Sequence, residues 1–223
     1  MPRSLKYDIP GPDWRRDCLD LAEAGIEGLF APALAPPIAL VVEIGFGRGE
    51  FLLELARRAP GVAHLGVEIS FKRVLKMARK LAVSGLENVR IVEARGEVVV
   101  QSFLPPASVR ELWVNFSDPW PKDRQAHRRL IQPGFVCEIA RVLEPGGVLH
   151  VATDDVPYAM QIDEVLRAGS GLSNRFAPDG WRPEVPGRMY TGYEADWRAE
   201  GRPLHFFEYR RAIAATTATQ ACA

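Results

Sequence analysis

From residue 40 onward, short apolar runs alternate with amphipathic stretches. Residues 40–44, 62–68, 89–93, 111–116 and 148–153 are brief, apolar and rich in β-branched side chains, the pattern of buried strands. Between them the period lengthens to that of a helix, over about 50–58, 97–103, 131–143 and 157–167. The clearest helix is 71–82. Phe71, Val74, Leu75, Ala78, Leu81 and Ala82 share one face, and Lys72, Arg73, Lys76, Arg79 and Lys80 occupy the other. Glu144-Pro145-Gly146-Gly147 supplies turn chemistry before the fifth strand. This alternation predicts an α/β domain: a doubly wound, mostly parallel sheet with helices on both faces.

The ends are less regular. Residues 1–37, with Asp13-Trp14-Arg15-Arg16 and the prolines Pro32, Pro36 and Pro37, read as an N-terminal extension, and 38–211 as the domain. In the last quarter, 174–191 is a loop rich in Gly, Pro and Trp, 193–200 a short helix and 204–209 an aromatic strand. Residues 212–223 are small and polar, and are expected to be a disordered tail.

Composition narrows the class. With 223 residues, 47% hydrophobic and 25% charged, the chain suits one soluble α/β domain with extensions. Three separated cysteines, Cys18, Cys137 and Cys222, form neither a disulfide framework nor a metal-ligand spacing, which fits a reducing cytoplasm. No leader peptide is expected at the start, and the longest apolar stretch, 31–44, is broken by prolines and Glu43, so no membrane span is expected. Monomer and homodimer both stay open. Net charge is zero, yet residues 122–129 hold four cations, Lys122, Arg124, Arg128 and Arg129, against Asp123 alone. Such a local patch can bind phosphate without a high overall pI.

That patch trails the most informative run, Asn115-Phe116-Ser117-Asp118-Pro119-Trp120-Pro121-Lys122. The prolines end the preceding strand and force an extended turn. Asp118 is thereby placed at a strand's C-terminal edge, where open α/β sheets build their sites. An acid beside an aromatic ring and a cationic arm suits a polyanion carrying a planar base; a proline-rich loop with a solvated charge run is the alternative reading. Trp120 is expected to be a packing anchor, Trp197, Phe206 and Phe207 core residues, and His64 and His150 buried structural residues.

Glu43-Ile44-Gly45-Phe46-Gly47-Arg48-Gly49 lies where the first strand of the 38–211 domain turns into a helix. Position 50 is Glu rather than the third glycine of a dinucleotide fingerprint, and Glu43 would repel a pyrophosphate. A cationic, amino-acid-bearing cofactor suits this acidic, glycine-lined turn better. Glu68, ending Leu65-Gly66-Val67-Glu68, is placed to accept from ribose hydroxyls. A structural turn with a helix-capping acid is the alternative for the glycines alone; with Glu68 so placed, binding is favoured.

Together these residues resemble the class I S-adenosylmethionine-dependent methyltransferases and, within them, the bacterial tRNA (guanine-N7)-methyltransferase family. The glycine turn is moderately specific. The 115–122 run with His127-Arg128-Arg129, Thr153-Asp154 and Thr191-Gly192-Tyr193-Glu194 are more so. The resemblance implies a Rossmann-like fold, methyl transfer from S-adenosylmethionine to guanine N7 in tRNA (guanosine 46 of the variable loop) and no metal. It implies cofactor contacts from Glu43, Gly45, Gly47, Gly49, Glu68, Arg95 and Asp118. Asp118 is the catalytic candidate, and Lys122, Asp154, Thr191, Gly192, Tyr193 and Glu194 are the substrate contacts. The chain departs from the family at Ala94-Arg95-Gly96-Glu97, where an Asp or Asn commonly meets the adenine. A class I methyltransferase acting on another RNA, a protein or a small molecule is the alternative, and a binding module without catalysis is a further one.

Overall fold

The computed structural model of the protein describes residues 7–168 and 171–213. Among the described residues eight strands form one sheet: β1 (Arg15–Arg16), β2 (Leu40–Ile44), β3 (Ala63–Glu68), β4 (Val89–Glu93), β5 (Val109–Asn115), β6 (Leu143–Thr153), β7 (Leu172–Asn174) and β8 (His205–Arg211). Their order is β1-β4-β3-β2-β5-β6-β8-β7. The first six are parallel to their neighbours, while β8 runs antiparallel to β6 and β7 antiparallel to β8. The chain winds outward from β2 to β3 and β4, then crosses back to β5 and β6. The strand order therefore reverses between β2 and β5, and a ligand crevice opens beyond the carboxyl ends of those strands.

The described residues also form seven α-helices: α1 (Cys18–Phe30), α2 (Glu50–Arg58), α3 (Phe71–Ala82), α4 (Gly96–Phe103), α5 (Pro133–Val142), α6 (Val156–Arg167) and α7 (Gly192–Ala199). Helices α1, α4, α5 and α6 share one core with the sheet, which includes Leu29, Phe30, Val99, Val100, Val136, Ile139 and Ile162. On the opposite face α2 and α3 build another from Leu52, Leu53, Ala56, Val74, Met77, Ala78 and Leu81. The doubly wound architecture read from the alternation is thus the one observed.

Several local readings change. The segment before residue 38 is built into the domain. Its β1 extends the sheet beside β4, and α1, started by an Asp17/Asp20 capping box, buries Leu21, Leu29 and Phe30. Strand β6 begins at Leu143 and absorbs the expected turn, with Gly146 at φ +83 taking the left-handed conformation that bends it. β7 precedes the stretch read as loop and ends on its first residue, Asn174. Of the residues assigned to a tail, 214–223 lie outside the described ones.

His64 is buried and His150 largely so. Burial first, then Arg188 and Arg175, holds His150 down to about 3, and burial holds His64 at about 4. The His150 ring stacks flat on Trp113 at 3.7 Å. Glu111 and Glu208 stand 3.7 and 3.8 Å from it, beyond hydrogen-bonding range. No described helix is long and apolar enough to cross a membrane.

Candidate active site

The crevice has two chambers. The smaller, about 240 Å³, is lined by Glu43, the 45–49 turn, Asn115, Thr191, Gly192 and Trp197. The larger, about 730 Å³, takes in Glu68, Ile69, Arg95, Glu97, Asp118, Trp120 and Arg128. Gly45, Arg73 and Phe116 line both, so the chambers meet there.

The glycine turn follows from β2. Gly45, Gly47 and Gly49 have φ +75, +55 and +76, which side-chain-bearing residues rarely adopt. A Cβ on Gly45 would meet only open space, so at this position the backbone lies bare to the chamber. At Gly49 a Cβ would fall 2.2 Å from Met77 Sδ, so this glycine also lets α2 and α3 pack together.

Glu43 is buried, only 2% exposed. Its Oε1 accepts from Asn115 Nδ2 at 3.2 Å, a bond that crosses from β5 to β2 at the point of strand reversal. Its Oε2 has no hydrogen-bond partner among the described residues. Burial, opposed by Asn115 and the Arg188 charge and aided by Glu68, raises its pKa to about 7. A buried carboxylate oxygen left unsatisfied is costly, and marks a place where a donor is missing. Glu68 is better supplied. It accepts from the Gly47 and Ser70 amides, each at 3.0 Å, and from Arg73 at 3.4 Å. A carboxylate has about four acceptor sites, so one remains open.

The 115–122 run is held in an unusual backbone. Phe116 and Trp120 have φ +53 and +43, and bulky residues in that region mark strain of order 1 kcal/mol each or more. Asp118 sits exposed between them, its Oδ1 accepting from Trp120 N at 3.0 Å. The strain is sustained by anchors. Arg129 donates to Pro119 O at 2.8 Å and to Gln161 Oε1 at 2.6 Å. Ser117 lies 3.4 Å from the Tyr158 hydroxyl, which accepts from Ile131 N. Phe116 packs edge-on to Trp197 at 4.7 Å. Arg129 is thus a buried structural member of the cationic run. Trp120, expected as a packing anchor, is half-exposed in the larger chamber with Arg128 over its ring at 5.0 Å. Lys122 leads into a 3-10 helix, Asp123–Arg128, whose Arg124 and Arg128 are exposed.

The C-terminal segment reaches back over the smaller chamber. Thr191 and Glu194 form a capping box that starts α7. Glu194, fully buried, pairs with Arg188 and with Arg198 at 3.2 Å. Its side chain is spent on folding the segment, so here it positions α7 rather than offering a free acceptor to a substrate. The Tyr193 side chain lies outside what the structure describes. Arg188 is the functional residue that sequence reasoning missed. Its guanidinium lies 4.5 Å from the centre of the Phe206 ring, and it also donates to Asn115 Oδ1 at 2.7 Å. A continuous polar chain therefore runs Glu43–Asn115–Arg188–Glu194 from the chamber floor to α7. A lone arginine in a loop carried no signal of this. Asp154, half-buried, takes Arg202 at 3.3 Å and, like Lys122, lines neither chamber. Among the described residues no group of three or more His, Cys, Asp or Glu is placed to hold a metal.

The fold is that of the class I methyltransferases. The solved structure of the 16S rRNA methyltransferase KamB superposes with a TM-score of 0.58 at 20% identity, covering 78% of this chain and 88% of that one. The [4+2]-cyclase SpnF superposes at 0.55, with 18% identity and 83% and 79% coverage, so the shared fold leaves the reaction open. The sequence is more specific. A family model described as "Putative methyltransferase" matches residues 38–207. The tRNA (guanine-N(7)-)-methyltransferase of Acidithiobacillus ferrooxidans is 39% identical over 172 residues, 77% of this chain and 75% of the relative. That of Halorhodospira halophila is 36% identical over 200 residues, 88% and 85% of the two chains. The chain belongs to the tRNA (guanine-N(7)-)-methyltransferase family.

Proposed function

We propose that this protein transfers a methyl group from S-adenosylmethionine to N7 of a guanosine in tRNA, guanosine 46 of the variable loop by family likeness. The observation that carries the cofactor reading is the orphaned Oε2 of Glu43 beneath a glycine-lined turn. A buried carboxylate lacking a donor fits an ammonium group, and the bare backbone at Gly45 leaves it room. When bound, S-adenosylmethionine supplies a methyl group carried on a sulfonium. Glu43 and the Gly45, Gly47 and Gly49 backbone hold its amino-acid end. The open acceptor site of Glu68 takes the ribose hydroxyls. The Arg95–Glu97 pair, 2.9 Å apart in the larger chamber, borders the adenine in place of the usual Asp or Asn.

Guanine N7 has an in-plane lone pair and needs no proton removed before it attacks. Catalysis therefore rests on alignment, which can supply about 7 kcal/mol or more. Asp118 accepts from the N1/N2 edge of guanine and offsets the positive charge that grows on the purine. Lys122, Asp154 and the Thr191–Glu194 segment contact the tRNA around that base, with Glu194 acting through the α7 position it fixes. Incubating the protein with labelled S-adenosylmethionine and unmodified bulk tRNA, then resolving nucleosides, tests the reading. Label in 7-methylguanosine is expected. Label only in another nucleoside, in protein or in a small molecule would replace the substrate, and no transfer at all would leave a binding module.

A further inference from the structure

We infer that the outward face of α3 is a second phosphate-binding bank, gripping the tRNA backbone on the side of the crevice opposite the 122–128 cations. The inference rests on the tRNA substrate proposed above. Lys72 and Lys76 are exposed on this helix and have no ion-pair partner among the described residues. Their neighbours are engaged. Arg73 reaches Glu68, Arg79 donates to Asp8 O, and Lys80 pairs with Glu50 at 2.8 Å.

Folding does not ask for this arrangement. Lys72, Lys76 and Lys80 repeat at i,i+4, a spacing at which like charges destabilise a helix. The first turn of α3 contains no acid, so Lys72 faces the positive end of the helix dipole with no ion-pair partner among the described residues. A polyanion lying along the face relieves both penalties. The chain's charge is otherwise balanced at zero, so this is local placement rather than a general basic field.

Position supplies the rest. α3 follows Glu68 directly, and its Arg73 lines both chambers. Twelve residues carry the helix about 18 Å away from that rim. Farther along, Lys80 and Arg57, paired with Glu50 and Glu54, border an open groove with the exposed Tyr190, so the unpaired cations of the face are Lys72 and Lys76. The crevice thus has buried acids, Glu43 and Glu68, inside, with α3 leading away from one rim at Arg73 and the exposed run Lys122, Arg124 and Arg128 leading away from the other at Arg128. A guanine seated within has backbone continuing on either side of it, and that backbone must cross these rims.

The test is steady-state methylation of tRNA by Lys72→Glu/Lys76→Glu, by the milder Lys72→Gln/Lys76→Gln and by Arg110→Glu. Arg110 is exposed near the start of β5, at the amino-terminal end of the strand and away from the crevice at its carboxyl end. The double charge reversal is expected to raise the tRNA KM about tenfold, with a smaller rise for the glutamine pair and no change for Arg110→Glu. The slope of log KM against log salt should become shallower by roughly 1.5, two phosphate contacts at about 0.7–0.9 each. The dissociation constant for S-adenosylhomocysteine should stay at the wild-type value, and the melting temperature should hold or rise slightly as the like-charge and dipole penalties are relieved. A wild-type KM and salt slope in both double variants would overturn the inference. So would an unchanged KM accompanied by lost binding to phosphatidylglycerol vesicles, which would give the face to a lipid surface. Absence of 7-methylguanosine from the wild-type protein instead refutes the proposed function, a distinguishable outcome.

Discussion

At the scale of single residues, two carboxylates in one crevice have opposite environments and therefore separable parts. Asp118 is exposed and flanked by strained backbone, placed to meet a base. Asp118→Ala should lower kcat about a hundredfold, the order seen when one charge-stabilising group is removed, and leave S-adenosylhomocysteine binding within severalfold. Equal losses in turnover and binding, measured by single-turnover kinetics and calorimetry, would refute its role. Glu43 is the reverse, a buried acid whose pKa stands at about 7 against 4.5 for the free side chain. The facing groups are Asn115, Arg188 and Glu68. With the folded pKa raised, the unliganded fold holds this proton while the unfolded chain has lost it. Stability is thus fully present below about pH 4.5 and declines as pH rises through 7, by about 3 kcal/mol at 1.36 kcal/mol per unit. An ammonium ligand needs the ionised form, so binding releases the proton, and affinity should improve as pH rises from 6 to 8. Glu43→Gln should melt higher than wild type at pH 8 but not at pH 5, while binding S-adenosylhomocysteine weakly and with a flat pH profile. A wild-type pH dependence of binding in that variant would show that Glu43 is not the group involved.

At the scale of elements, what was legible depended on whether a signal was local. The 71–82 amphipathic period gave α3 from its first residue to its last, because the pattern and the packing coincide. The 115–122 run announced a turn through its prolines, but not that Arg129 and Tyr158 would pin it, since those partners come from other elements. Arg188 was invisible for the same reason: its meaning lies in Asn115 on β5 and Glu194 on α7. Glu194 was read as a substrate contact from its motif, and the structure gives the motif another physical sense, a capping box sealed by two arginines. Arg188→Met should leave Glu194 buried beside Arg198 alone, at a cost near 3 kcal/mol. It should also uncouple α7 from the chamber floor. Amide hydrogen exchange of residues 188–199 is the measurement: faster exchange than wild type, and loss of the protection that S-adenosylhomocysteine confers. Unaltered protection there would mean that the polar chain through Asn115 transmits nothing.

At the scale of the whole molecule, strand–helix alternation was enough for the doubly wound sheet, yet it did not show that the segment before residue 38 adds a strand and a helix to that sheet and its core. Residues 1–37 lacked an obvious helical period because Gly25, at φ +60, kinks α1 and Gly28 dilutes its apolar face. The overlooked signal was the Asp17/Asp20 capping box. What that segment covers is consequential. Arg90, in the middle of β4, is 2% exposed, donates to Leu29 O at 2.7 Å, and is sandwiched near Trp14 and Phe30 at 4.3 and 5.0 Å. Without residues 1–37 this guanidinium loses the Leu29 acceptor and both rings and keeps only Glu87 O and Val89 O, while Val99, Val100 and Leu104 lose part of the core they share with Leu29 and Phe30. A chain starting at residue 38, where the family match begins, should therefore fail to fold cooperatively even though it retains every residue of the crevice. Phe30→Ala in the full chain isolates the packing part and should cost about 3–5 kcal/mol in urea unfolding. A truncated chain that melts in one transition at the wild-type temperature would return residues 1–37 to the status of an appendage.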